Sequence, residues 1–269
     1  MYESFFGLQE PPFNLTPDPR FIYFSSQHQE ALSAMLYGVE SRRGFIQITG
    51  EIGAGKTTLC RMLLKKLGEK VHSSLVFNPQ LSEFELLQVI VEDFGIKPSG
   101  RKKKDYFDGL NRFLIEELEK GFNAVVLIDE AQHLTPKALE QVRLLSNLET
   151  ATQKLLQIIF FGQPEFKDRL NRKDLLQLRQ RISIRYHLVG LNPQDVKNYI
   201  EHRLKVAGAQ ENFFNQEAVD LIFQLSQGIP RIVNMLADRA MLAAFTQNKR
   251  WVDAGMVTIA DTDLQGVTA

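Results

Sequence analysis

The sequence predicts an α/β fold: a five-stranded parallel sheet covered by helices on both faces, followed by a small all-helical domain. Three observations predict it. Between residues 44 and 187, short β-prone runs alternate with helical patterns, as successive βαβ units require. The first run leads directly into Gly50-Glu51-Ile52-Gly53-Ala54-Gly55-Lys56-Thr57, a glycine loop that opens a helix. After residue 190 the strand signal stops and only helical spacing remains.

Taken in order, the opening residues to about Ser26 are aromatic and proline-rich, with Pro11, Pro12, Pro17 and Pro19. Phe5, Phe6, Phe13, Phe21 and Phe24 are too many for a free tail, so this arm is expected to pack on the core together with a helix over Gln27–Glu40. Candidate strands follow at Phe45–Thr49, Ser74–Asn78, Ala124–Ile128, Leu156–Phe161 and Ile182–Tyr186. Helical patterns between them cover Thr58–Leu67, Glu83–Phe94, Asp105–Glu119 and Pro136–Leu148. The last part reads as helices over Asn192–Val206, Gln216–Ser226 and Ile232–Thr246, with Asn192 as N-cap and Pro193 at the first helical position. The expected division is therefore an arm and first helix (1–43), an α/β nucleotide-binding domain (44–189) and a helical lid with a tail (190–269).

The glycine loop matches G-x-x-x-x-G-K-[ST] in its required setting of strand, loop and helix. Gly50, Gly53, Ala54 and Gly55 let backbone N–H groups wrap around phosphates, and Thr58 continues the helix N-terminus that favours negative charge. Lys56 would reach the β- and γ-phosphates, and Thr57 would offer its hydroxyl to Mg²⁺. A nucleoside triphosphate is the ligand these residues imply.

The apolar run Val125-Val126-Leu127-Ile128 ends in Asp129-Glu130. Ligands of such sheets sit beyond the carboxyl ends of the strands. Asp129 is thus expected to hold Mg²⁺ through water, and Glu130 to polarise an attacking water. Asp129-Glu130-Ala131-Gln132 invites comparison with helicase boxes, but no other helicase motif is present and the chain is too short for two tandem motor domains. Given a triphosphate, Gln163 at the end of the fourth strand could sense the γ-phosphate or orient the water. Arg181, with Arg179 as second choice, could enter a neighbouring subunit's site. Arg231, in Gly228-Ile229-Pro230-Arg231, would point from a lid helix back toward the nucleotide. Turn residues, a surface arginine and a helix start are the plainer readings of these three positions.

Phosphate loop, acidic strand end, polar fourth strand, arginine before the fifth strand and Gly-x-Pro-Arg together resemble AAA+ ATPases. More narrowly, the chain is similar to the general secretion pathway protein A (ExeA-type) family, which also contains pilus-biogenesis and exosortase-associated ATPases. The opening Met1-Tyr2-Glu3-Ser4-Phe5-Phe6-Gly7-Leu8 and the run from Pro12 to Phe21 carry most of that likeness, with Gly162-Gln163-Pro164-Glu165 and Leu178-Arg179-Gln180-Arg181-Ile182 adding to it. The resemblance implies a P-loop three-layer sandwich, ATP with Mg²⁺, hydrolysis, self-association into a ring or other oligomer, and envelope secretion, pilus or exopolysaccharide components as partners. AAA+ proteins more often carry Asn, Thr or Ser where Gln163 stands. Many ExeA-type proteins continue into a membrane helix and a peptidoglycan-binding domain.

Bulk properties bound the alternatives. The 269 residues are 44% hydrophobic and 24% charged, with 32 basic and 32 acidic residues, so no global charge draws the chain to nucleic acid or membrane. Arg101-Lys102-Lys103-Lys104 is the one basic cluster, read first as a solvated loop; it keeps open a DNA-dependent regulator like the TniB and TnsC transposition ATPases. A nucleotide switch with little turnover is the third reading. The single cysteine, Cys60, excludes an internal disulfide and reads as a small buried apolar residue. No apolar run approaches a membrane span and no secretory leader is apparent, so a cytoplasmic protein, recruited to the inner membrane by partners, is expected.

Overall fold

The computed structural model describes residues 1–16, 18–77 and 79–266. Strands β1 (Phe45–Gly50), β2 (Val71–Val76), β3 (Asn123–Ile128), β4 (Gln157–Gly162) and β5 (Ile182–Leu188) form one parallel sheet in the order β2-β3-β4-β1-β5. Their carboxyl ends therefore share one edge. β4 is inserted between β1 and β3, with Thr49 opposite Gly162 and Ile128 opposite Phe160. That insertion sets the residue after β4 between the residues that follow β1 and β3.

The strand expected at Ser74–Asn78 instead starts at Val71 and ends at Val76, and Asn78 lies outside the described residues. β2 is an edge strand that pairs only with β3 and is half exposed, so its apolar residues are too sparse to mark its start. The central strands β1, β3 and β4 are buried almost throughout and read clearly from sequence.

The helices are α1 (Tyr2–Phe6), α2 (Ser26–Glu40), α3 (Lys56–Lys66), α4 (Glu83–Asp93), α5 (Lys103–Glu119), α6 (Pro136–Leu145), α7 (Pro164–Leu170), α8 (Leu176–Arg181), α9 (Pro193–Val206), α10 (Gln216–Ser226), α11 (Pro230–Thr246) and α12 (Ala254–Leu264). Local chemistry sets many of their starts. Ser82 and Glu85 form a capping box before α4, at 3.2 and 2.8 Å. Thr135 caps α6 ahead of Pro136, and Asn192 caps α9 ahead of Pro193.

The chain divides into two compact units, residues 27–50 with 56–188, and residues 1–26 with 51–55 and 189–269. In the first, alternate strand residues face opposite ways. Phe45, Val126, Ile128, Ile158 and Phe160 meet α4–α8 in one apolar core. On the other side α3 packs against β1 and β4, and α2 comes so near that a Cβ on Gly38 would stand 2.4 Å from the Ile46 side chain.

The second unit is helical. Its core joins Tyr2, Phe6, Phe13 and Phe21 to residues of α9–α12. The arm does pack, but with these helices, whereas residues 27–40 belong to the α/β unit; the expected single segment 1–43 is divided at about residue 26. Polar anchors explain the docking. Gln9 N–H donates to the Ala207 carbonyl at 2.8 Å, and the buried Arg203 donates to the Pro12 and Asn14 carbonyls at 2.6 and 3.0 Å. The C-terminal stretch adds α12, capped by Asp253, while residues 267–269 and Pro17 lie outside the described residues.

Candidate nucleotide site

The loop between β1 and α3 has the backbone that phosphate binding needs. Gly53 and Gly55 take φ of 83° and 98°, a region that a Cβ penalises. Ala54 N–H donates to the Glu51 carbonyl at 3.1 Å and closes the turn. α3 begins at Lys56, two residues earlier than the apolar spacing predicts, because Lys56 and Thr57 carry no hydrophobic signal. Thr57 and Thr58 therefore lie in the first helical turn, where N–H groups have no intrahelical acceptor. The buried Lys56 ammonium donates to the Gly50 carbonyl at 2.7 Å.

Asp129 follows β3 and is only 3% exposed. Its Oδ2 accepts the Thr57 hydroxyl at 2.9 Å, and its Oδ1 accepts the Glu130 N–H at 3.0 Å. Burial raises the Asp129 carboxyl above its ordinary range. The two hydrogen bonds oppose that rise, the Glu130 charge adds to it and Lys56 opposes it. Two hard oxygen donors thus stand side by side, a set that suits Mg²⁺. Among the described residues, no group of three or more His, Cys, Asp or Glu could hold a metal.

Glu130 takes φ 51° and ψ 41°, a left-handed turn that is strained for a residue with a Cβ. Its Oε2 accepts from the Gln163 side-chain amide at 3.1 Å and also from the Gln132 amide. Gln163 precedes Pro164 at the start of α7, but its side chain reaches Glu130 and makes no helix cap. Gln132 returns its Oε1 to the Gln163 N–H at 3.0 Å, and Arg169 donates to the Gln132 carbonyl at 2.8 Å. Gln132 and Arg169 carry no role in the sequence reading. The only signal for Gln132 was its place in Asp129-Glu130-Ala131-Gln132, and for Arg169 there was none.

The arginines separate. Arg181 is tied to its own chain, donating to Ser146 Oγ, to Asn147 Oδ1 at 2.7 Å and to the Arg143 carbonyl at 3.5 Å. Arg179 is exposed, and its side chain has no partner among the described residues. Arg231 sits in the first turn of α11, in the same unit as Gly53, where a Cβ built on Gly53 would lie 2.4 Å from the Arg231 Cβ. Arg101, Lys102, Lys103 and Lys104 are exposed and form no ion pair among the described residues. Cys60 is fully buried, and burial pushes its thiol pKa up. No described helix is long and apolar enough to cross a membrane.

A family model described as an AAA domain matches residues 39–170. A protein named general secretion pathway protein A, from Aeromonas hydrophila, is 43% identical over 99% of this chain. The chain spans 49% of that relative's length. Among solved structures, the ORC2 protein of Aeropyrum pernix superposes with a TM-score of 0.67 at 17% identity, covering 97% of this chain and 73% of that one. Cdc6p of Pyrobaculum aerophilum gives 0.66 at 16%, covering 94% and 70%. The RuvB branch migration motor of Thermotoga maritima gives 0.58 at 16%, covering 90% and 69%. These three share the fold.

Proposed function

Because the chain belongs to the AAA+ ATPase family, in the line of general secretion pathway protein A, we propose that it binds ATP with Mg²⁺, hydrolyses it, and couples this cycle to self-association. The carrying observation is the run of contacts at the sheet's carboxyl edge, Thr57 to Asp129, with Glu130 to Gln163 beside it. The loop N–H groups and Lys56 bind the phosphates, Lys56 exchanging its Gly50 carbonyl for a phosphate oxygen. Thr57 and Asp129 would hold Mg²⁺. When bound, the ion neutralises charge on the β- and γ-phosphate oxygens. Glu130 acts as the base on the attacking water, and Gln163 is the sensor at its side. Arg179 becomes the better candidate to reach a neighbour's nucleotide, since Arg181 already serves its own chain. Arg231 supports the nucleotide from the first turn of α11.

The work served is assembly or remodelling of an envelope secretion, pilus or exopolysaccharide system, from a cytoplasmic position beside partners in the inner membrane. The named relative supports this assignment. A second reading, a DNA-dependent regulator, draws on the unpaired Arg101–Lys104 cluster. One experiment separates them: light-scattering mass of Glu130→Gln with ATP and Mg²⁺, with and without duplex DNA. A defined oligomer with ATP alone, together with lost turnover, supports the first reading. Large species only with DNA favour the second, and normal turnover removes Glu130 as the base.

A further inference from the structure

We infer that Gln132 is a positioning residue for hydrolysis: its side-chain amide clamps one oxygen of Glu130 so that the other is presented to water. This rests on the reading of Glu130 as the base. Orientation of the amide follows from its partners. The Gln163 backbone N–H can only donate, so the Gln132 atom that meets it at 3.0 Å is the oxygen, and the amide nitrogen faces Glu130. Glu130 Oε2 then receives two donors, Gln132 Nε2 and Gln163 Nε2, the latter at 3.1 Å. No hydrogen bond reaches Glu130 Oε1 among the described residues.

Two donors on one oxygen fix the carboxylate plane and leave Oε1 as the oxygen free to take a proton. In the reaction the water oxygen bonds the γ-phosphorus, the bond to the β–γ bridging oxygen breaks, and the water's proton passes to Oε1. Gln132 is itself held. Arg169 donates to its carbonyl at 2.8 Å, and the short helical turn Ala131–His133 sets its backbone. Glu130 holds a left-handed backbone, and on its Oε2 a donor from Gln163, the residue after β4, and a donor from its own turn converge. A primary amide donates at one end of this bridge and accepts at the other, and no charged side chain supplies both ends.

The test is steady-state ATP hydrolysis by Gln132→Ala and Gln132→Glu, with Glu130→Gln as control. Gln132→Glu keeps length and volume but replaces the donor by a second carboxylate. The expected result is a kcat lower by about ten- to hundredfold in Gln132→Ala, with KM for ATP within about twofold of wild type. Gln132→Glu falls further, although it is the closer isostere; lost packing would give the opposite order. Wild-type kcat in Gln132→Glu, or a raised KM with kcat unchanged, overturns the clamp. If Glu130→Gln loses turnover while Gln132→Glu keeps it, the clamp alone fails. If Glu130→Gln keeps turnover, the base reading fails and takes the clamp with it.

Discussion

Replacing Gly53 by alanine puts a methyl carbon 2.4 Å from the Cβ of Arg231, in a residue whose φ is 83°. Two costs add. The left-handed backbone costs a residue with a Cβ about 1–2 kcal/mol, and forced overpacking costs about 1–3 kcal/mol. The sum, about 2–5 kcal/mol, is large beside the margin of a folded domain. The offending atom is a Cβ, so it cannot rotate away, and shortening the arginine to alanine leaves it in place. Only glycine at 231 removes it. Urea unfolding of Gly53→Ala, Arg231→Ala, Arg231→Gly and both double variants therefore forms a cycle with an internal control. In Gly53→Ala/Arg231→Gly the overpacking share returns, giving a coupling of about 1–3 kcal/mol once the cost of glycine in a helix is subtracted through the single variant. In Gly53→Ala/Arg231→Ala it does not return. Equal rescue by both, or changes that add within about 0.5 kcal/mol, would refute the close approach as the reason for glycine at 53. ADP affinity measured on the same variants reports whether the loop conformation is what the nucleotide needs.

Asp129→Asn should raise the stability of the nucleotide-free protein at pH 7 while abolishing Mg²⁺-dependent hydrolysis. The folded pKa of Asp129 is raised, so ionising it in place costs stability at pH values above that pKa, and the cost fades as pH falls through it. The gain in unfolding midpoint should accordingly shrink as the buffer is acidified; a loss of stability at pH 7 would contradict this. Arg203→Met should free the arm. It removes donors to Pro12, Asn14 and the Tyr199 hydroxyl, and a cation 5.0 Å from the Phe21 ring, at a cost of about 3 kcal/mol. Limited proteolysis between residues 12 and 21 should quicken strongly, and unchanged cleavage would remove Arg203 as the anchor.

What sequence could tell depended on how many neighbours each signal needed. The phosphate loop is local, since eight consecutive residues carry both the glycines and the lysine. The buried strands β1, β3 and β4 are apolar runs for the same reason: both faces are covered. Strand order is not local, and nothing in the chain announces that β4 lies between β1 and β3. α7 and α8, seven and six residues long, are too short to display a period, and α12 is apolar on more than one side. The arm's aromatic residues announced that it packs, but its choice of partner rests on Arg203, a buried cation whose sequence neighbours make it look like any surface arginine. Arg181 and Arg179 were close to interchangeable as letters. Their difference comes from the C-terminal end of α6, which offers acceptors to one and not the other.

The glutamine at 163 departs from the shorter residues common at that position, and the geometry around Glu130 supplies a reason. Its amide reaches Glu130 Oε2 at 3.1 Å while its own backbone N–H is taken by Gln132. An asparagine, one methylene shorter, would end about 1.5 Å nearer the chain and lose the carboxylate. The Gln132 amide also holds Glu130 Oε2, so the carboxylate has little freedom to follow a shorter partner. Reach at 163 and the bridging amide at 132 are therefore one device. The Gln163 amide places one donor on Glu130 Oε2, and Gln132 accepts the Gln163 backbone N–H while placing the second donor there. A change of side chain at 163 or at 132 removes one of the two hydrogen bonds on Glu130 Oε2, and the other keeps its own anchor. Both amides share one acceptor oxygen, so the pair, and not the single residue, is the unit to compare when related chains carry a different residue at either place.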